Sequence, residues 1–264
     1  MKLKRVKKLT KKIDSKRKYK PSRFKEIVIE RISTGIENLD KLIEGGFEKN
    51  STNLIIGDSG AGKTIFATQF LVSGMNNGEK CLYINFEEKK SDFYLNMKRL
   101  GFDLKKYENE GKFYFLEYTP EKVKTMLEEG GGIIETIVLG KKISRVAIDS
   151  MTSFGLLFEN DLEKREALLE LFNILKKWNC TSLLTYEGSG EIDGQITPPI
   201  LELEADSTIR LYFIKGNKKQ QRLLEILKMR GTNHSPYVHE FKIDKNGIIL
   251  NKRPFSKKLN LKDL

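Results

Sequence analysis

The residues best equipped for chemistry in this 264-residue chain run in the order Gly57-Asp58-Ser59-Gly60-Ala61-Gly62-Lys63-Thr64. A glycine, four residues and then Gly-Lys-Thr is the spacing of a phosphate-binding loop. Its glycines let successive backbone N–H groups turn inward around phosphate oxygens. Its lysine reaches the β- and γ-phosphates, and its hydroxyl ligates Mg²⁺. The motif needs a strand before it and a helix after it. Residues 51–56 are a short, β-branched, apolar run, and residues 65–72 place apolar side chains at helical spacing. Both flanks therefore suit a nucleotide site.

Three further groups could extend that chemistry. Asp149 closes the apolar run Ser144-Arg145-Val146-Ala147-Ile148, where an acid can hold Mg²⁺, through water, opposite Thr64. Glu87 and Glu88 end the run 80–86. In open α/β sheets such positions face the ligand crevice, and a carboxylate there can polarise the water that attacks a γ-phosphate. The same pair also fits a solvated loop running into Lys89 and Lys90. Late in the chain, Lys228 and Arg230 share one face of a predicted strand while Met229 points away. No acid lies near them in sequence, so they form either a solvated face or a site for an anion. Against a neighbouring subunit's nucleotide, Arg230 would be an arginine finger and Lys228 its companion.

The elements that must position these groups alternate. Strands are expected at 26–32, 51–56, 80–86, 112–117, 144–149 and 180–186. Between them come a short helix at 38–43, the loop helix, and a helix at 91–100 with Phe93, Leu95, Met97 and Leu100 as its apolar members. Another helix begins at Pro120 and carries Val123, Met126 and Leu127, and Gly130 to Gly132 interrupt it. A long helix capped by Asp161 presents Leu162, Leu168, Leu169, Phe172, Leu175 and Trp178 as an apolar face. This alternation predicts an α/β fold with a mostly parallel sheet covered on both faces. After Asp206, strands at 207–215, 222–230, 237–243 and 247–250 follow without helices, with turns at Gly216-Asn217 and Asn246-Gly247. They predict an antiparallel meander appended to the sheet.

Composition bounds the rest. An apolar share of 39% with 32% charged residues suits a soluble domain with a sizeable core. No apolar run is long enough to span a membrane, and the N-terminus lacks the apolar segment of a secretory signal. Cys81 and Cys180 have no ligand-like spacing and read as core thiols of a cytoplasmic protein. Residues 1–25 hold thirteen Lys and Arg against one acid, Asp14, which accounts for the entire net charge of +12. The expected organisation is a basic, disordered tail at 1–25, one ATPase-like domain at 26–251 and a C-terminal tail at 252–264. The basic tail could hold nucleic acid or another acidic partner from outside the domain.

Taken together, these motifs resemble those of the KaiC family of RecA-like ATPases. Arg31-Ile32-Ser33-Thr34-Gly35-Ile36-Glu37-Asn38-Leu39-Asp40, with Gly45-Gly46, is similar to the family's lead-in, and residues 57–64 to its phosphate loop. Phe86-Glu87-Glu88 is similar to its paired glutamates, and Arg145 to Ser150 to its Walker B strand. Residues 228–234 are similar to the stretch the family lends to the next subunit's ATP. The resemblance implies a RecA-like core and ATP with Mg²⁺ as cofactors. It implies Glu87 and Glu88 as catalytic carboxylates beside Lys63. It also implies a homo-oligomeric ring, most simply a hexamer, in which Lys228, Arg230, Thr232 and His234 act in trans. The clock protein that names the family carries two such domains and this chain shows one. Its clock role and autophosphorylation therefore do not carry over.

The expected function is that of a ring-forming, ATP-hydrolysing regulator that responds to its nucleotide state. Two alternatives stand beside it. One is a recombinase- or helicase-like ATPase on DNA. It is disfavoured because no Lys or Arg falls between Trp178 and Arg210, while six acids do. The other is an ATP-sensing module of a motility or signalling machine with little turnover.

Overall fold

The computed structural model describes residues 29–119, 122, 125, 132–188, 199–215 and 220–256. Strand β1 (Arg31–Ile32) and β2 (Phe47–Glu48) form a small antiparallel ribbon that brackets helix α1 (Glu37–Leu42). The main sheet comprises β3 (Thr52–Gly57), β4 (Cys81–Asn85), β5 (Phe113–Glu117), β6 (Arg145–Asp149), β7 (Thr181–Glu187), β8 (Ser207–Lys215), β9 (Gln220–Met229), β10 (His239–Asp244) and β11 (Gly247–Pro254). Its order is β11-β10-β9-β8-β3-β7-β6-β4-β5. The helices are α2 (Lys63–Asn76), α3 (Lys90–Arg99), α4 (Leu104–Asn109), α5 (Gly132–Lys141), α6 (Met151–Gly155), α7 (Asp161–Lys177) and α8 (Pro199–Glu204).

The strand period of two sorts the core onto the two faces of the sheet. Ile55, Cys81, Tyr83, Ala147 and Leu183 pack with Phe66, Phe70, Leu71 and Met75 of α2 and with Phe93 and Met97 of α3. Their neighbours Leu54, Ile56, Leu82, Val146, Ile148 and Leu184 pack on the opposite face with Leu168, Phe172 and Leu175 of α7 and with α5. Every residue of β3 is buried, as a central strand covered on both sides requires. Burial pushes the Cys180 thiol up to about 11 and raises that of Cys81 further, so both remain inert core thiols.

The expected α/β architecture is present, with local differences. β8 pairs parallel with β3 and antiparallel with β9, so it closes the parallel set as well as opening the meander. α8 supplies the crossover that makes this direction possible. Asn160, not Asp161, caps α7 by accepting from the Glu163 amide at 2.9 Å. That shifts the first turn by one residue and leaves Leu162 65% exposed, outside the apolar face. Leu95 of α3 is likewise 52% exposed, because Phe93 and Met97 set the buried stripe. The short helices α4, α6 and α8 have too few turns to show periodicity in sequence. Gly247 sits at φ +91° after Lys245-Asn246, one residue later in the turn than expected. A Cβ there would meet Gln69 Oε1 at 2.3 Å. The Pro120 helix start, Val123, Met126, Leu127 and the Gly216-Asn217 turn lie outside the described residues, as do 1–28.

A buried cation ties the sheet to the lead-in. Arg145 is 1% exposed and donates to both carboxylate oxygens of Glu79, at 2.8 and 2.6 Å. It also donates to the carbonyls of Ser33 and Phe70 and lies over the Phe70 ring at 4.8 Å. Gly74 makes room for it, since a Cβ there would stand 2.5 Å from Arg145 Nε.

Candidate active site

The Gly57–Thr64 loop joins the carboxyl end of β3 to the first turn of α2. Gly57 lies tight against β8, where a Cβ would come within 2.4 Å of the Leu211 carbonyl. Gly62, at φ +112°, is the residue from which α2 begins. A helix N-terminus with several inward amides favours negative charge. Lys63 Nζ donates to the carbonyls of Gly57 and Asp58 at 2.8 and 2.9 Å, which holds its ammonium at the centre of the loop. Burial lowers the basicity of Lys63, against the opposing pull of the Glu187, Asp149, Asp58 and Glu87 carboxylates.

Thr64 Oγ1 donates to Asp149 Oδ2 at 2.7 Å, although the two residues stand far apart in the chain. The same oxygen accepts from Tyr83 Oη at 2.6 Å, and Asp149 Oδ1 accepts from Thr185 Oγ1. A hydroxyl and a carboxylate converging beside a phosphate loop are the hard oxygen donors that suit Mg²⁺. This ion keeps several waters and is held by one or two protein groups together with phosphate oxygens. Among the described residues no group of three or more His, Cys, Asp and Glu could cage a metal by itself. The donor set thus fits Mg²⁺ held jointly with a nucleotide.

The two glutamates part company. Asn85 Oδ1 accepts the amides of Glu87 and Glu88 at 2.8 and 3.0 Å and so fixes the turn that leaves β4. Glu87, though exposed, points toward α6, where its Oε1 accepts from Ser150 Oγ at 2.5 Å and Ser153 Oγ at 2.7 Å. It lines the same cleft of about 260 Å³ as Lys63, Thr64 and Asp149. Glu88 turns the other way and accepts from Asn96 Nδ2 at 2.6 Å on the exposed side of α3.

Arg222 and Ile243, which sequence reasoning missed, also line this cleft, beside Gly60 and Gly62 of the loop. The Arg222 Nε and Nη2 both donate to the Gly60 carbonyl at 3.3 Å, and the guanidinium lies 4.5 Å from the Phe213 ring centroid. A signal was available: Arg222 sits on the side of β9 whose next members, Leu224 and Ile226, enter the core. A cation in such a register asks for a partner.

The sequence profile of the KaiC ATPases matches residues 32–254. The chain belongs to the KaiC family of ATPases. It is 33% identical to the circadian clock protein KaiC3 of Synechocystis over 84% of this chain and 46% of that protein. It is 32% identical to a UPF0273 protein of Thermotoga maritima over 84% of this chain and 96% of that protein. It therefore spans about half the length of the clock proteins it matches and nearly all of the UPF0273 protein. The crystal structure of the KaiC-like protein PH0186 from Pyrococcus horikoshii superposes with a TM-score of 0.76 at 35% identity. That match covers 85% of this chain and all of the other. The RecA-like fold follows from it.

In this KaiC domain the four residues expected to act in trans lie away from the chain's own phosphate loop. Asn53, at the start of β3, aligns with Ser207, and Ser207 with Met229, whereas Gly57 aligns with Leu211. Lys228 and Arg230 thus flank the amino end of the parallel strands, and the loop sits at their carboxyl end. A bulge in β9 beside Thr208 sends Met229 into the core and leaves Lys228 and Arg230 pointing toward α8. Lys228 Nζ donates to the carbonyls of Glu202, Leu203 and Ala205 at 2.7, 3.1 and 2.7 Å. Arg230 donates to the Leu203 carbonyl at 2.6 Å and pairs with Asp206 at 3.3 Å. These are the carbonyls a helix C-terminus leaves without partners, so the two cations cap α8. Thr232 Oγ1 donates to the Arg230 carbonyl, and His234 Nδ1 lies 3.1 Å from the Ser235 carbonyl. No helix among the described residues is long and apolar enough to cross a membrane.

Proposed function

We propose that this KaiC-family chain binds Mg-ATP on the Gly57–Thr64 loop and hydrolyses it within a ring of identical subunits, most simply a hexamer, that acts as a nucleotide-dependent regulator. The observation that carries this reading is the placement of Glu87, held by Ser150 and Ser153, in the cleft where Thr64 meets Asp149. The loop amides and Lys63 take the phosphates. Thr64 and Asp149 would hold Mg²⁺, which would supply positive charge against that developing on the transferred phosphate. Glu87 orients and polarises the attacking water. Glu88 is bonded to Asn96 and does not line the cleft, which favours Glu87 as the principal carboxylate of the pair. Ile243 and the flat Arg222 guanidinium, beside Gly62 and Gly60, would offer a bound nucleotide an apolar and a stacking surface.

Lys228, Arg230, Thr232 and His234 lie away from their own loop, so any role at ATP falls at a neighbour's site and would require Lys228 and Arg230 to leave the α8 carbonyls. The alternative is a recombinase- or helicase-like ATPase that holds DNA in its channel, beside which the basic residues 1–25 could recruit nucleic acid from outside. The test is steady-state ATPase with and without single-stranded DNA, beside the mass of the assembly with ATP. Turnover independent of DNA, in a multi-subunit particle, is the expected result. Strong DNA stimulation that persists after deletion of residues 1–25 would overturn it in favour of a strand-binding ATPase. ATP binding without turnover would favour a sensing module.

A further inference from the structure

The site described above leaves one buried group without a role. Tyr83 is fully buried in the middle of β4, on the face of the sheet covered by α2. A phenylalanine would satisfy that packing equally well, since the ring stacks on Phe115 at 5.7 Å and leans on Phe93 at 4.5 Å. A buried hydroxyl is costly unless it is bonded, so its presence asks for a reason. The register supplies one. Tyr83 pairs with Ala147 across β4 and β6, and the small alanine leaves the phenol room to run along β6. The next residue on that face is Asp149, and Tyr83 Oη reaches its Oδ2 at 2.6 Å.

We propose that Tyr83 is a positioning residue for the metal-side carboxylate. Asp149 is held from three elements: Tyr83 of β4 and Thr64 of α2 on Oδ2, and Thr185 of β7 on Oδ1. When the Thr64 hydroxyl turns to a metal ion, Tyr83 and Thr185 remain to fix the plane of the carboxylate. The lone pairs left on Asp149 would then be free to hold Mg²⁺ through water. Groups that orient a metal-binding side chain in this way are typically worth about 10- to 100-fold in metal affinity or activity. The effect of Tyr83 is therefore on the metal-dependent part of nucleotide binding and not on the phosphate loop itself. This role rests on the Mg-ATP reading.

The experiment is calorimetric titration of a non-hydrolysable ATP analogue into the full chain, once in EDTA and once in Mg²⁺. Wild type and Tyr83→Phe should bind alike in EDTA, while the tightening that Mg²⁺ produces should shrink about tenfold in the variant. Tyr212→Phe is the matched control. It removes another buried phenol that donates to a carboxylate, that of Glu225 at 2.5 Å, away from the cleft. It should keep the full Mg²⁺ gain. An equal Mg²⁺ gain in wild type and Tyr83→Phe would overturn the role of Tyr83 alone, as would an equal loss in both variants. Wild type that binds no analogue under either condition would overturn the underlying Mg-ATP reading instead.

Discussion

The Lys228 ammonium lies 2.7 Å from the carbonyl oxygen of Ala205, at the end of α8. With Arg230 on Leu203 and Asp206, it makes the last turn of that helix depend on two cations that the family resemblance assigns to another subunit's ATP. A cation cannot cap α8 and grip a neighbour's phosphate with the same hydrogen bonds. The resemblance and the contacts within one chain therefore assign these two residues different partners.

Mixing tests the shared site. Arg230→Ala and Lys63→Ala proteins should each be inactive alone, and a mixture should partly recover ATPase activity, because some interfaces then pair an intact loop with an intact Arg230. Loss of the α8 cap in Arg230→Ala should cost the fold only about 0.3–1 kcal/mol, as measured by urea denaturation. Absence of recovery in mixtures of confirmed assembly would count against the trans role.

The divergence of Glu87 and Glu88 gives an asymmetric expectation. Glu87→Gln should lower kcat by about 100-fold or more while ATP binding survives, the range for a general base or water-orienting carboxylate. Glu88→Gln should stay within about tenfold of wild type, since it loses one exposed hydrogen bond to Asn96. Steady-state rates and equilibrium binding of the two variants decide it. Equal effects would mean that Glu88 swings into the cleft during turnover.

Arg145 should dominate stability out of proportion to its distance from the cleft. Arg145→Ala leaves Glu79 and two carbonyls without their donor and should cost about 3–5 kcal/mol, read from denaturation midpoints. Arg145→Met keeps much of the volume and should cost less. Gly74→Ala should act in the same direction, by forcing the guanidinium out of its place.

Asp40 carries a pH signature. It accepts from Ser33 Oγ, the Thr34 amide and Thr34 Oγ1, yet burial is the larger effect and raises its pKa above 3.8. The folded state then holds a proton that the unfolded chain has already lost in the window just above 3.8. Stability from this group accordingly falls as pH rises through that window and is level above it. Denaturation of wild type and Asp40→Asn from acid to neutral pH should show wild type losing ground to the variant as pH rises. Parallel profiles would refute the assignment.

The phosphate loop could be read from sequence because its chemistry is contiguous: eight residues carry the turn, the lysine and the hydroxyl, and their flanks declare strand and helix. The alternating elements could be read for a similar reason, since burial on both faces of a parallel sheet writes apolar runs into the chain. Asp149, as the end of such a run, was legible as a position opposite Thr64, but the groups that orient it were not. Tyr83 reaches it across 66 residues, and Arg222 reaches Gly60 across 162. Those distances close only when β4 takes its place beside β6 and β9 folds back on β8. The short helices α4, α6 and α8 escaped notice because one or two turns carry no period. The sequence by itself determined where the phosphate-loop pattern falls and in what order along the chain the sheet's strands occur. Tertiary structure decided which glutamate enters the cleft, what holds Asp149, and that Lys228 and Arg230 lie beyond reach of their own loop. Those decisions depend on strand register, which no local pattern encodes.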